Sequence, residues 1–185
     1  MAENSALVTA SFLTTEDDYA AFKFASYRAA LKKKDAAAAK ICGVSLIAAG
    51  ILGRVFLPGG LYRNFIYYLM IIVGFILFVY CDTLQPYLIK RRAVSYFAHH
   101  QEKMIAQTLL FFEDRVEIQT DRYTAKLPYS LFYQGYEDGK VFLLYTGIGE
   151  IRFLPKRSVT EEDCQIIHGI LARNLQENYK QEGVR

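Results

Sequence analysis

Cysteine is scarce: Cys42, Cys81 and Cys164 are the three in a chain of 185 residues. None stands in CxxC spacing, which excludes a disulfide framework and a cysteine zinc site and leaves all three as reduced packing residues. The chain also lacks GxSxG, HExxH, P-loop and GxGxxG patterns, so no compact catalytic or nucleotide-binding motif is present. His99 and His100 are adjacent, hence about 100° apart on a helix, and do not share a face as an i,i+4 metal pair would. His168 has no Cys or carboxylate patterned around it. Glu16-Asp17-Asp18 and Glu161-Glu162-Asp163 imitate carboxylate clusters, but each opens a helix, where the helix dipole favours acids. The expectation is a protein that is not an enzyme and uses no cofactor and no metal. A cleavable signal peptide is not expected either, because the first 35 residues are polar and acidic.

Charge is missing altogether from Phe65–Cys81, FIYYLMIIVGFILFVYC, and nearly so from Ile41–Leu57, ICGVSLIAAGILGRVFL. Each run of 17 residues makes about 25 Å of helix, at the short end of what a hydrocarbon core of about 30 Å requires. Ala36–Ala39 extend the first helix, and Lys40 and Arg54 can snorkel from its ends. Tyr62, Phe65, Tyr67 and Tyr68 at one end, with Tyr80 and Tyr87 at the other, match interfacial aromatic belts. The segment from Pro58 to Asn64 holds one Pro and two Gly and should break the helix. A soluble helix normally keeps a polar face, and the second run has none. The sequence therefore predicts a transmembrane hairpin in residues 36–82, with spans about 41–57 and 65–81. The first helix would serve as an uncleaved insertion signal.

Arg28, Lys32, Lys33, Lys34 and Lys40 precede the hairpin, and Lys90, Arg91 and Arg92 follow it, whereas the far end offers Arg54 and Arg63. Both flanks are thus expected on the cytoplasmic side of the plasma membrane, in a multi-pass arrangement with a short outer loop. These bordering residues account for the net charge of +3, so no nucleic-acid partner is implied. In the first span Ser45, Ala49 and Gly53 recur every four residues, a small-residue face that lets another helix approach closely. The second helix of the hairpin, receiving at Gly74, is the favoured neighbour; a dimer mate is the other.

Leu7–Leu13 alternates and reads as a strand. Thr15 with Asp18 three residues on makes a capping arrangement for a helix running to about Lys34. An N-terminal strand needs a sheet to join, and the only candidate lies after the hairpin. Asp82–Lys103 leaves the membrane with Pro86 kinking or restarting the helix. Its stripe of Tyr87, Val94 and Phe97 or Ala98 opposes Lys90-Arg91-Arg92. From Thr108 the period changes to two. Thr108–Phe112, Arg115–Thr120, Tyr123–Leu127, Leu131–Tyr136, Val141–Tyr145 and Glu150–Leu154 form an antiparallel meander, with Asp138-Gly139 as the clearest hairpin turn. Thr160 caps a last amphipathic helix whose stripe is Cys164, Ile167, Ile170, Leu171 and Leu175, extended by Tyr179.

The order of several short motifs resembles the YcxB-like family of small bacterial membrane proteins. They are Phe12-Leu13-Thr14-Thr15-Glu16-Asp17-Asp18-Tyr19, the hairpin, Phe111–Ile118, Tyr129-Ser130, Leu154-Pro155-Lys156-Arg157 and the acid-capped final helix. One extra acid in the first motif makes Asp18 rather than Asp17 the equivalent position. The resemblance implies a cytoplasmic pleckstrin-homology-like (PH-like) fold: an α+β membrane protein with an antiparallel, partly open barrel of seven strands, Leu7–Leu13 among them, plugged by Thr160–Asn178. It brings no activity with it. The expected division is 1–35 (strand and helix packing with the C-terminal domain), 36–82 (hairpin) and 83–185 (linker helix and YcxB-like domain).

The function expected on this reading is a membrane-tethered binding or scaffold module that recognises a cytoplasmic protein segment or lipid headgroups. Lys90, Arg91, Arg92, Lys156 and Arg157 are the candidate contacts for an anionic headgroup or partner, at about 1 kcal/mol per basic residue near an anionic leaflet. The alternative is an accessory or regulatory subunit of a larger membrane complex, assembled through Ser45, Ala49 and Gly53. Two spans make no transport pathway unless they oligomerise, and Arg54 lies too near the interface to mark a midplane site.

Overall fold

The structure, a computed structural model, describes residues 5–31, 33–57, 59–100, 105–147 and 150–182. Lys32, Pro58, Lys103, Ile148 and Gly149 lie outside these, as do the side chains of Lys33, Lys34, Ala36 and Cys81. The chain is α+β and divides into two compact units, one running to Ser26 and resuming at Arg92, the other Tyr27–Arg91.

The second unit holds two antiparallel helices, α2 (Lys33–Phe56) and α3 (Leu61–Val79). The break between them is shorter than the sequence suggested. Gly60 is extended and caps α3, its carbonyl accepting from the amides of Arg63 and Asn64, so helix begins at Leu61. Both helices are long and apolar enough to cross a membrane, over Ala37–Phe56 and Leu61–Val79. Their outer residues are not covered by protein: Ile41, Val55, Phe65 and Phe75 are 67%, 64%, 64% and 60% exposed. Where α2 and α3 meet, glycine is required. A Cβ on Gly43 would sit 2.7 Å from the Gly74 carbonyl oxygen, and one on Gly74 would sit 2.7 Å from that of Gly43. Gly50 backs onto the Tyr67 carbonyl and Ile71, and Gly53 onto the Tyr67 ring. After α3 the chain takes a π turn, Tyr80–Leu84, directly into a helix, α4 (Gln85–His99). Pro86 in the first turn of α4 has no N–H to give the preceding turn, which accounts for the irregular hydrogen bonding there.

The first unit is built from strands on either side of the hairpin. β1 (Val8–Phe12) pairs antiparallel with β2 (Gln107–Phe111), in register Val8 to Phe111. β3 (Arg115–Thr120) and β4 (Thr124–Pro128) complete a sheet of order β1-β2-β3-β4. β5 (Gln134–Glu137), β6 (Val141–Gly147) and β7 (Glu150–Pro155) form the second sheet. A last strand, β8 (Tyr179–Gln181), joins that sheet on the far side of β5, giving the order β7-β6-β5-β8. The pairs among the strands expected between Thr108 and Leu154 are antiparallel, divided between the two sheets, whereas β8, beyond that run, lies parallel to β5. Tyr179 belongs to this strand and does not extend the helix α5 (Glu161–Leu175), because Gln176 turns the chain with φ 46°.

Alternation puts Val8, Ala10 and Phe12 inward on β1, against Leu109, Phe111, Val116 and Ile118. The second sheet adds Phe142, Leu144 and Leu154, and α5 seals the core with Ile167, Ile170, Leu171 and Leu175. Each fully buried large side chain of this set stabilises the fold by about 1.5–3 kcal/mol. Thr160 caps α5 reciprocally with Asp163, as its sequence position required. The helix α1 (Glu16–Ala30) lays Tyr19 on Tyr96 of α4, ring centroids 5.5 Å apart, with Ala20 and Ala93 buried beside them. Of the expected α4 stripe, Phe97 makes the contact together with Ala93, whereas Tyr87 is exposed.

Candidate functional site

The densest polar grouping among the described residues gathers around Glu137, at the end of β5. In β5 the alternation sets Gly135 and Glu137 on one face, toward α5 and β8. The Glu137 carboxylate is 3% exposed. One oxygen accepts from Lys156 Nζ at 2.6 Å; Lys156 stands just past β7, its ammonium also 4.7 Å from the Phe142 ring centre. The other oxygen meets His168 Nδ1 at 2.6 Å and accepts from the Tyr179 hydroxyl. Residues from β5, α5, β8 and the turn after β7 thus converge on one buried carboxylate. Burial pushes this carboxyl up, but hydrogen bonds from Lys156, Tyr179 and His168 outweigh it and hold the group below its ordinary value. Burial, with Glu137 beside it, drives the Tyr179 phenol far above its usual range, so it stays a donor.

A second buried carboxylate, Asp18, is 5% exposed. It closes the cap of α1 by accepting from the Thr15 amide at 2.8 Å, and Arg157 grips it from the other side, Nε at 2.7 Å and Nη2 at 2.5 Å. Arg157 also donates to the Leu13 carbonyl at 3.1 Å. Burial raises the Asp18 carboxyl, but the Arg157 and Thr15 hydrogen bonds outweigh it, for a net depression. Tyr129 donates its buried hydroxyl to the Phe112 carbonyl at 3.1 Å, tying the start of the Tyr129-Ser130 step to the β2–β3 turn.

These partnerships change the reading of the candidate residues. Lys156 and Arg157 are each paired with a buried carboxylate, Glu137 and Asp18, and the Arg157 side chain stays 52% exposed. Lys90, Arg91 and Arg92 are exposed on α4. Of the small-residue face, Gly53 packs on Tyr67 and Gly74 on Gly43, while Ser45 and Ala49 are exposed. The close approach follows Gly43, Ile47 and Gly50, about 200° around α2 from Ser45, since two residues turn a helix that far.

His168 does have a carboxylate, one that lies 31 residues away in sequence. No periodicity joins the two; the only local sign was an acid, Glu137, placed between Tyr136 and the Asp138-Gly139 turn. Asp138 makes that turn by accepting from the amides of Lys140 and Val141, at 2.7 and 2.9 Å. Chemically the grouping fixes charge. Glu137 already accepts three hydrogen bonds, and burial raises the thiol of Cys164, one turn before His168 on α5, against thiolate formation. Among the described residues no three His, Cys, Asp or Glu are placed to hold a metal ion. A groove of about 500 Å³ between the ends of β1, β2 and β3 is lined by Ser11, Gln107, Thr108, Gln119 and Asp121, with the Ser11 and Thr108 hydroxyls bonded at 2.9 Å.

The fold and its buried charge pairs define the class: an α+β protein with two apolar helices and paired sheets. Residues 111–165 match the family model described as YcxB-like protein, the family that the order of sequence motifs resembles. The match runs from the end of β2 into the first turns of α5 and takes in Glu137, Lys156 and Arg157. No curated protein and no solved structure matches the chain.

Proposed function

We propose that α2 and α3 cross the plasma membrane as a hairpin, and that the segments before and after them fold together on the cytoplasmic side into one PH-like, partly open barrel. This domain acts as a non-catalytic binding or scaffold module beside the inner leaflet, and its partner is a protein segment. One observation carries the reading: β1 and β2 are neighbours in a single sheet, although a hairpin with uncovered apolar helices separates them in sequence. Water would not tolerate so much exposed apolar surface, whereas lipid would. Strand pairing across the hairpin then requires both of its ends on one face. The basic flanks favour the cytoplasmic face. A protein partner is preferred to a headgroup because Lys156 and Arg157 already have carboxylates, leaving Lys90, Arg91 and Arg92 as basic residues to orient the chain at an anionic surface.

Tags on the two termini of the full chain, probed in sealed membrane vesicles, test this. Both are expected to be accessible from the cytoplasmic face alone, and extraction is expected to need detergent. Tags on opposite faces, or a chain in the aqueous fraction without detergent, would overturn it.

The exposure of Ser45 and Ala49 favours a second reading, in which the hairpin docks into a larger membrane complex as an accessory subunit. Under that reading Ser45→Leu with Ala49→Leu removes co-purifying membrane protein and leaves the thermal midpoint unchanged.

A further inference from the structure

We propose that the outer edge of β5 is a docking edge for an extended peptide of a partner protein, and that β8 is the chain's own occupant of that edge. This rests on the reading of the domain as a binding module and names the surface and the kind of partner. β8 is three residues long, and among the described residues β5 is its only strand neighbour. It is the one strand paired in parallel; every other described pair is antiparallel. It is reached through Gln176, whose φ of 46° is the only positive value at a non-glycine residue among those described. Such a conformation persists only while its surroundings impose it.

The contacts of β8 are those by which a sheet edge reads a peptide: a backbone ladder plus side chains anchored at intervals. Gly135, Tyr136 and Glu137 face Tyr179, Lys180 and Gln181, and the Glu182 amide donates to the Glu137 carbonyl at 2.8 Å. Two side chains supply the specificity. Tyr179 donates its hydroxyl to Glu137 over the bare backbone of Gly135, where a Cβ would come within 2.8 Å of the Tyr179 ring. Three residues on, the Glu182 carboxylate accepts from the Tyr136 hydroxyl at 2.9 Å. Lys180 and Gln181 are exposed. The edge therefore fits an extended Tyr-x-x-Glu segment, with a hydroxylated aromatic at the first position and an acid at the fourth.

The test uses the full chain in detergent and a fluorescent peptide with the sequence of residues 177–182, ENYKQE. In the wild type the tail competes, so apparent affinity falls in proportion to the fraction of open edges. Tyr179→Ala in the chain is expected to tighten peptide binding by about tenfold or more, equivalent to about 1.4 kcal/mol. A peptide with Ala in place of Tyr should not bind either chain. A folded Tyr179→Ala chain that binds no better than wild type overturns the proposal, as does a doubling of mass without peptide capture, which would mean tails exchanged between two copies. Should Tyr179→Ala unfold, hydrogen exchange on the wild type decides. Amides of residues 180–182 exchanging well ahead of those of β6 are expected, and exchange in step with β6 overturns the proposal. Loss of peptide capture with both termini still on one membrane face removes this edge alone and leaves the membrane placement standing.

Discussion

Two buried carboxylates hold the first unit together, and each joins segments far apart in sequence. Glu137→Gln keeps the shape but leaves the Lys156 ammonium, 16% exposed, facing an amide. Removing one partner of a buried pair typically costs about 3–5 kcal/mol, so a clear fall in thermal midpoint in detergent is expected. The same two acids set the response to pH. Glu137 and Asp18 both sit below their ordinary values of 4.5 and 3.8 in the fold, so near and below those values the unfolded chain binds more protons than the folded one. The stability they contribute is therefore full above the ordinary carboxylate range and is lost as pH falls through the depressed values. A thermal midpoint that is level from pH 7 to about 5 and drops below about 4 is expected, and Asp18→Asn should flatten the drop. None of these pairings was legible in the sequence. Thr15 and Asp18 gave away a cap because capping is local, but Arg157 lies 139 residues further on. Local patterns carry no register between such distant positions.

Elements were legible where their period was clean. β3 occupies the Arg115–Thr120 expected from alternation, and α5 starts at the Thr160 cap. β8 was hidden because Tyr179 continues the 3.6-residue stripe of α5, and only the turn at Gln176 diverts it. That turn gives an element-scale expectation: Gln176→Gly should raise the stability by about 1 kcal/mol, read as a higher denaturation midpoint. In the hairpin, Gly43, Gly50 and Gly53 meet α3 while Ser45 and Ala49 face away, and composition alone does not say which side of α2 meets α3. Gly74→Leu would drive a side chain into the Gly43 carbonyl and Ile47, and is expected to broaden or abolish the melting transition of the hairpin. Ala49→Leu, on the exposed side, is not.

At the scale of the whole molecule, the first unit is discontinuous: its opening strand comes before the apolar helices and the rest after them. The expected division into 1–35, 36–82 and 83–185 has the first segment packing with the third, and β1 of the first does pair with β2 of the third. Residues 83–185 expressed alone would lack β1 and bare the β2 edge along with Leu109 and Phe111. That fragment is expected to aggregate or give poorly dispersed amide spectra, and a peptide spanning residues 5–14 is expected to improve them.

Val8 and its partner Phe111 are 103 positions apart (111 − 8), so during synthesis β1 leaves the ribosome long before anything exists for it to pair with. In the proposed topology the hairpin has been threaded into the bilayer by then, in one orientation or the other. A chain with only one of its flanks on the correct side leaves β1 and β2 separated by lipid, and neither half completes a core. Under that topology, the β1–β2 pairing would close only in copies whose two flanks emerge on the same face of the bilayer.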